Sequence, residues 1–281
     1  MISIIIPLYN KERYIEDCVH SITSQGFSSY EIVIVNDGST DASLSIAQKL
    51  SQGNPSIRVI DKPNGGVSSA RNCGVKAAKG DWVLLLDADD TLLPDSLSIF
   101  SKYCSPSSYK VIIANYFTVF GDHKIQNSKL KQEQILNNPL KYIWYRRLYS
   151  RPGNTLIHKS VFDLIGGYDE DLAYNEDYEF SLRLLSVFKA LYIPNCVMNY
   201  TDCATGASSR VHPYEKDFVS KIGQFAFNSI WQKLIMYNLL KWDNSRRTDE
   251  KKAISQSEMN NFGRYFPVVY FISLGLRKIF S

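Results

Sequence analysis

In the first part of the chain, short apolar runs alternate with longer segments that mix apolar and charged residues. Residues 2–6, 31–35, 57–60 and 82–86 are apolar or nearly so throughout. That is the pattern of strands buried on both faces of a parallel sheet. The stretches between them, 11–25, 41–52 and 67–79, are each long enough for a crossover helix. Strand, helix, strand in repetition predicts an open α/β sheet with right-handed connections. Ligands bind such sheets beyond the carboxyl ends of the strands, so chemistry is expected in the residues just after each apolar run.

Beyond Asp90 the alternation loosens. Strands are expected at 111–115 and 154–158, and a helix at 177–188 with Leu182, Leu185 and Phe188 on one face. The polar stretch 119–134 predicts a loop. From Tyr214 the spacing turns helical, with Phe218, Ile222, Phe225, Ile230 and Leu234 at near-helical intervals. This change places a boundary near Val211, dividing an α/β domain over 1–211 from a helical extension over 212–281. There is no internal repeat and no low-complexity tract.

Composition narrows the field. With 281 residues, 44% hydrophobic and 21% charged, the chain suits one large globular domain plus an appendage. A formal charge of +4 is too weak for a dedicated nucleic-acid binder, though it would not repel nucleotides or anionic lipid. The five cysteines, an odd number without a C-x-x-C pair, form neither a disulfide lattice nor a zinc site. Reduced thiols in a cytoplasmic setting are expected. The amino terminus lacks a basic segment followed by an apolar one, so a secretory signal is not expected. No apolar run reaches the roughly 20 residues of a membrane-spanning helix.

The strand ends supply the candidate chemistry. Pro7-Leu8-Tyr9-Asn10 follows the first strand and Asn36-Asp37-Gly38-Ser39-Thr40-Asp41 the second. Asn64-Gly65-Gly66 through Arg71-Asn72 follows the third, and Asp87-Ala88-Asp89-Asp90 the fourth. An aromatic ring, acids, glycines and an arginine on one rim suit a nucleotide diphosphate. The base can rest on Tyr9, Asp37 can bond ribose and base edges, and glycines let backbone approach closely. Asp87 and Asp89 cannot cheaply stay ionised together without a cation, and Mg²⁺ or Mn²⁺ held by carboxylates and phosphates would answer that. Asp90 alone could instead cap a helix near Leu92, the less favoured reading. Glu176-Asp177 opens a helix, where acids also complement the helix dipole. For Asp177 a general base that deprotonates an acceptor hydroxyl is the favoured role.

These residues carry a resemblance. The order Pro7-x-Tyr9-Asn10, Asn36-Asp37-Gly38-Ser39-Thr40-Asp41, Gly65-Gly66 to Asn72, Leu86-Asp87-Ala88-Asp89-Asp90, Gly166-Gly167-Tyr168-Asp169-Glu170 and Glu176-Asp177-Tyr178-Glu179 resembles inverting family-two glycosyltransferases of the GT-A fold. It covers roughly residues 2–210. The resemblance implies a donor-binding part over about 1–110 and an acceptor-binding part over 111–211. It implies hexosyl transfer from a nucleotide diphosphate sugar, UDP-linked by preference, to a growing cell-surface saccharide. Pro7, Tyr9, Asn10 and Asp37 would hold uracil and ribose with Arg71 beside them. Asp87 would reach the ribose or the metal's water shell, and Asp89 would bind Mg or Mn. Asp177 would be the base, with Glu176 orienting the acceptor. Such chains often carry a metal-binding histidine after this helix. Here Cys203 takes the place, with His212 the first histidine beyond, and a thiolate suits Mg²⁺ poorly. His20, His123 and His158 read as structural.

Two segments mix aromatic and basic residues, 142–151 and 262–281. They suit either shallow insertion at a membrane surface or packing onto the main domain. The first reading, with the family analogy, implies a polyprenol-linked acceptor at the inner face of a cell membrane. Two rival functions remain. Leu84 to Leu92 also looks like the first motif of haloacid-dehalogenase phosphatases, with Asp87 as nucleophile, but that motif normally sits on a first strand. A catalytically silent nucleotide-sugar binder is the other.

Overall fold

The computed structural model describes residues 1–104, 109–201, 216–224 and 229–246. The expected boundary near Val211, the Cys203 segment with His212 and the tail at 262–281 lie outside the described residues. The first half follows the expected alternation: β1 (Ile2–Leu8), α1 (Ile15–Thr23), β2 (Tyr30–Asp37), α2 (Ser43–Gln52), β3 (Ile57–Lys62), α3 (Val67–Ala77) and β4 (Trp82–Leu85). β1 lies between β2 and β4, β3 flanks β2, and all are parallel. Their apolar runs split by alternation into two cores. Ile5, Val33, Val35 and Val83 face one side, and Ile4, Ile6, Ile34 and Leu84 the other. Each fully buried side chain of this kind stabilises by about 1.5–3 kcal/mol, which is why neither face carries a polar pattern. α3 lies very close to β1: a Cβ on Gly74 would fall 2.1 Å from Ile5 Cγ2.

The chain continues as β5 (Thr91–Leu92), α4 (Ser96–Ser101), β6 (Val111–Phe120), β7 (His123–Gln126), β8 (Gln134–Leu136), α5 (Pro139–Trp144), β9 (Thr155–His158), α6 (Ser160–Ile165), α7 (Glu176–Val187), β10 (Ala190–Thr201), a 3₁₀ helix at Phe218–Gln224 and α8 (Ile230–Arg246). One sheet holds all of the strands, in the order β3-β2-β1-β4-β9-β6-β10-β5, with β7 beside β6 and β8 beside β10. β9 runs antiparallel between β4 and β6 and so joins the two halves of the sheet.

Three sequence readings need correction. The polar stretch 119–134 is not a loop throughout: β6 reaches Phe120, turns at Gly121 (φ +55°) and returns as β7. All of β7 is exposed, so it has no buried face to imprint a pattern. β10 was not foreseen at all. Pro194 interrupts it, and its register against β6 shifts between Ile193 and Cys196, the usual setting for a strand proline. The helical pattern from Tyr214 begins as the 3₁₀ helix, and the α-helix starts only at Ile230. Segment 142–151 packs inward in part. Trp144 and Leu148 are buried in the core with Leu234 and Leu240 of α8, whereas Arg146 and Arg147 are exposed. Among the described residues no helix is long and apolar enough to cross a membrane.

The amino-terminal edge of the sheet, opposite the strand ends of interest, is tied by Glu31. Its Oε1 accepts from Ser3 Oγ at 2.6 Å and Lys79 N at 2.5 Å, and its Oε2 from Arg58 Nη2 at 2.8 Å. Burial alone would raise its pKa, but the Ser3, Lys79 and Arg58 hydrogen bonds outweigh that and lower it. A carboxylate depressed on folding stabilises above its unfolded pKa, and the contribution is lost as pH falls through the folded value. Glu31→Gln should therefore lower the melting temperature at pH 7. The loss should be about 1–3 kcal/mol, or roughly 2–4 °C per kcal/mol. Thermal melts at pH 7 and at about pH 3 should show the gap to wild type shrinking in acid; an equal gap at both would refute the assignment.

Candidate active site

The rim beyond β1, β2, β3 and β4 is built largely by side chains that tie one loop to the next. Pro7 lies in β1 and Tyr9 just beyond it, 37% exposed. Asn10 turns the chain with a left-handed φ of +51°. Its backbone N donates to Ser39 Oγ at 3.2 Å and its Oδ1 accepts from Thr40 N at 2.8 Å, joining the loops after β1 and β2. Asp37, 2% exposed, ends β2. Its Oδ1 accepts from Lys62 Nζ at 2.5 Å and Gly65 N at 2.9 Å, and its Oδ2 from Gly66 N at 2.8 Å. The carboxylate thus fixes the turn that starts α3, where Gly66 holds φ +88°, a value L side chains rarely adopt.

Arg71 on α3 is the centre of the site. It is 3% exposed, with Nη2 2.9 Å from Asp87 Oδ1 and Nη1 2.9 Å from Glu176 Oε1. Its guanidinium lies 5.0 Å from the Tyr168 ring centroid. Asp87 comes from the end of β4 and Glu176 from the start of α7, so one side chain joins the two halves of the sheet. Burial would weaken its hold on the proton, but Asp87, Tyr168 and Glu176 outweigh burial and raise its pKa well above the usual value. Its Nε is buried without a hydrogen-bond partner. The sequence reading set Arg71 beside the base-binding residues. Within the chain its contacts are with Asp87, Glu176 and Tyr168.

Asp87 to Asp90 form a tight turn, with Asp90 N donating to Asp87 O at 3.0 Å. Asp89 Oδ2 is 2.5 Å from Lys11 Nζ, so a positive charge already lies against this carboxylate. Lys11 was not foreseen, although it directly follows Asn10 on the same strand end. Asp90 is 1% exposed and accepts from Thr201 N at 3.0 Å. Burial first, then Asp87 and Asp89, raise its pKa well above the carboxylate range. It caps no helix.

On the other side, Asn175 adopts φ +58° and starts α7. Its Nδ2 donates to Asp217 Oδ1 at 3.0 Å, and the same oxygen accepts from Val219 N at 3.0 Å. The segment around Asp217 thereby fixes the entry to the helix. Glu176 and Asp177 follow in the first turn, at the positive end of the helix dipole. Burial and the neighbouring Asp177 raise the Glu176 pKa against the opposing pull of Arg71. Asp177 Oδ1 accepts from Tyr178 N at 2.8 Å. Asp177, Arg151, Ser150 and Tyr168 line one small cavity. Of the histidines, His158 packs edge-on against Trp82 at 5.2 Å, His20 lies in the last turn of α1 and His123 on exposed β7. Among the described residues the cysteines are free.

The mixed sheet with its parallel core, its covering helices and a rim that brings a D-x-D turn to a Glu-Asp helix start define the GT-A class of fold. The chain belongs to glycosyl transferase family 2, whose family model matches residues 3–168. Among curated relatives, the uncharacterized glycosyltransferase EpsJ of Bacillus subtilis is 32% identical over 196 residues, 65% of this chain and 55% of the relative. A chondroitin synthase of Pasteurella multocida is 45% identical over 102 residues, 36% of this chain and 11% of the relative. The chain thus spans about half the length of EpsJ and far less of the synthase. Crystal structures of residues 1–349 of S. aureus TarS share the fold. The complex with UDP has a TM-score of 0.70 at 20% identity, covering 89% of this chain and 76% of that 1–349 chain. The complex with UDP-GlcNAc has a TM-score of 0.64 at 21% identity, covering 94% and 73%.

Proposed function

We propose that this chain transfers a hexose from a UDP-sugar to a hydroxyl of a saccharide acceptor, inverting the anomeric centre. The observation that carries the reading is the Arg71 bridge. It holds Asp87 of the D-x-D turn and Glu176 beside Asp177 at a fixed separation across the site. The donor's base and ribose would lie along Pro7, Tyr9, Asn10 and Asp37, with Asp87 turned to the ribose. Asp177 would accept the acceptor's proton as its oxygen attacks from the face opposite the leaving diphosphate. Glu176, restrained by Arg71, would orient that acceptor. The bound UDP and UDP-GlcNAc of TarS support the donor class.

The residues present fit a divalent ion. Asp87, Asp89 and Asp90 gather three carboxyl groups in one turn, and a lysine ammonium already leans on Asp89. Among the described residues no three such side chains form a group that could hold a metal by themselves, so phosphate oxygens of the donor would have to complete its shell. Asp89, with Asp87 beside it, would hold Mg or Mn, and the metal would supply charge neutralisation to the departing diphosphate. We place the donor part at about 1–110, the acceptor part at 111–211 and a helical extension at 212–281. A cell-surface polysaccharide acceptor, polyprenol-linked and met at the inner face of a membrane, is the acceptor that the family resemblance implies. The phosphatase reading loses its motif position, since β4 is a fourth strand inside the sheet and Asp87 is held by Arg71.

A nucleotide-sugar screen by calorimetry, with and without Mn²⁺, tests the proposal. Wild type should bind a UDP-sugar more tightly with Mn²⁺. Asp89→Ala should lose at least about tenfold of that affinity, since the diphosphate would then meet no bound cation. Binding of equal strength with and without the metal, in both proteins, would overturn the metal assignment.

A further inference from the structure

Arg151 is the feature of the site that the proposed chemistry leaves unused. It lies in the segment leading to β9, where Gly153 N donates to Leu85 O at 2.5 Å and so sets the segment against the end of β4. Its guanidinium stacks 3.5 Å from the Tyr200 ring centroid and 5.4 Å from that of Tyr116. Tyr149 and Tyr178 complete the surrounding group. Among the described residues the other buried or half-buried arginines all meet oxygen. Arg58 pairs with Glu31, Arg71 with Asp87 and Glu176, and Arg183 with Glu179 and two backbone carbonyls. Among the described residues no carboxylate lies within ion-pair distance of the Arg151 guanidinium.

We propose that Arg151 and its tyrosines form the acceptor subsite and receive an anionic group, a carboxylate or a phosphate, carried by the acceptor saccharide. This rests on the glycosyl-transfer reading above and deepens it. Three observations support the assignment. Arg151 lines the same cavity as Asp177, the group placed to deprotonate the acceptor. Its ring neighbours come from β6, α7, β10 and the segment before β9, all in the half of the chain away from the donor. The donor side already has its cations, Arg71 and Lys11, each paired with a carboxylate. A guanidinium presents a planar fork that matches carboxylate or phosphate with two parallel bonds, and flanking aromatic rings offer flat faces to sugar C–H groups. Burial would loosen the proton on Arg151, but Tyr116, Tyr200, Asp177 and Asp90 hold it, so the cation persists at any working pH.

Calorimetry on the full chain saturated with UDP and Mn²⁺ tests this. The probes are a glucuronate-ended disaccharide, a disaccharide bearing glycerol phosphate and a neutral glucose disaccharide. Wild type should bind one acidic probe at least about tenfold more tightly than the neutral one, and which acid wins identifies the source of the charge. Arg151→Ala should lose that preference while its affinity for UDP stays within about twofold, as expected of a group outside the donor site. Arg151→Lys, which keeps the charge but not the fork, should retain part of the preference and guards against a misfolded alanine variant. Equal binding of acidic and neutral probes by wild type, or a preference intact in Arg151→Ala, would overturn the proposal. So would a tenfold loss of UDP affinity in that variant, which would assign Arg151 to the diphosphate. Failure of wild type to bind any nucleotide sugar would instead sink the transferase reading beneath it.

Discussion

Asp177→Asn is expected to leave UDP-sugar affinity within about twofold while the rate of transfer falls by about 10²–10⁴, the usual contribution of a positioned general base. The substitution is close to isosteric. The asparagine Oδ1 can still accept from Tyr178 N, as Asp177 Oδ1 does at 2.8 Å, so the start of α7 should not move. What disappears, on the proposed mechanism, is the basic oxygen that takes the acceptor hydroxyl's proton. Loss of turnover with donor affinity preserved is the signature of an interaction made only in the transition state. The measurement pairs UDP release under saturating donor and acceptor with calorimetric titration of the donor. Turnover at the wild-type rate would remove Asp177 from the mechanism.

Arg71→Met should be the most damaging single change to the folded state. Methionine can fill much of the space, but it strands Asp87 and Glu176 without their shared counter-charge. Breaking a buried ion pair from one side costs about 3–5 kcal/mol. The Asp87 side chain is 32% exposed and water will screen it, so about 3 kcal/mol is the better figure, or roughly 6–12 °C in melting temperature. Glu176→Gln added to Arg71→Met should recover part of that loss, because the more deeply buried of the stranded carboxylates is then neutral. The Glu176 pKa is already raised by burial and by Asp177, which makes it the better candidate for rescue. Melting curves for the two single variants and the double variant give the coupling directly. Strict additivity would mean that the bridge seen between Arg71 and Glu176 carries no energy.

The parallel core was legible because strands covered on both faces carry continuous apolar runs, as 2–6, 32–35 and 82–86 do with only Ser3 interrupting, while the edge strand β3 shows a shorter, mixed run. The acids of the site were legible because strand ends in such sheets face the ligand. What pairs with what was not. Arg71 and Glu176 stand 105 residues apart, and no local pattern says that one reaches the other. The motif marks Asp37 as a candidate donor ligand, but not that its oxygens also hold Lys62, Gly65 and Gly66, partners that only the folded loop supplies. From the sequence, Arg151 belongs to an aromatic-rich segment that suits either a membrane surface or packing onto the main domain. It packs against tyrosines contributed by β6 and β10, and β10 itself was hidden by Pro194 and its shifted register. Hydrophobic periodicity reports which face of an element is covered, not which remote side chain covers it.

The antiparallel placement of β9 has a mechanical consequence. It hydrogen-bonds to β4 on one edge and to β6 on the other, so the ladder runs unbroken from one flank of the molecule to the other. Proteins that clamp substrate by swinging two lobes need a seam crossed by few such bonds, and the described strands offer no such seam. On the proposed function, entry of the donor and departure of the nucleotide would then fall to segments at the lip, with the floor beneath them staying still. Amide exchange across β4, β9 and β6 should accordingly be slow and uniform, with or without nucleotide.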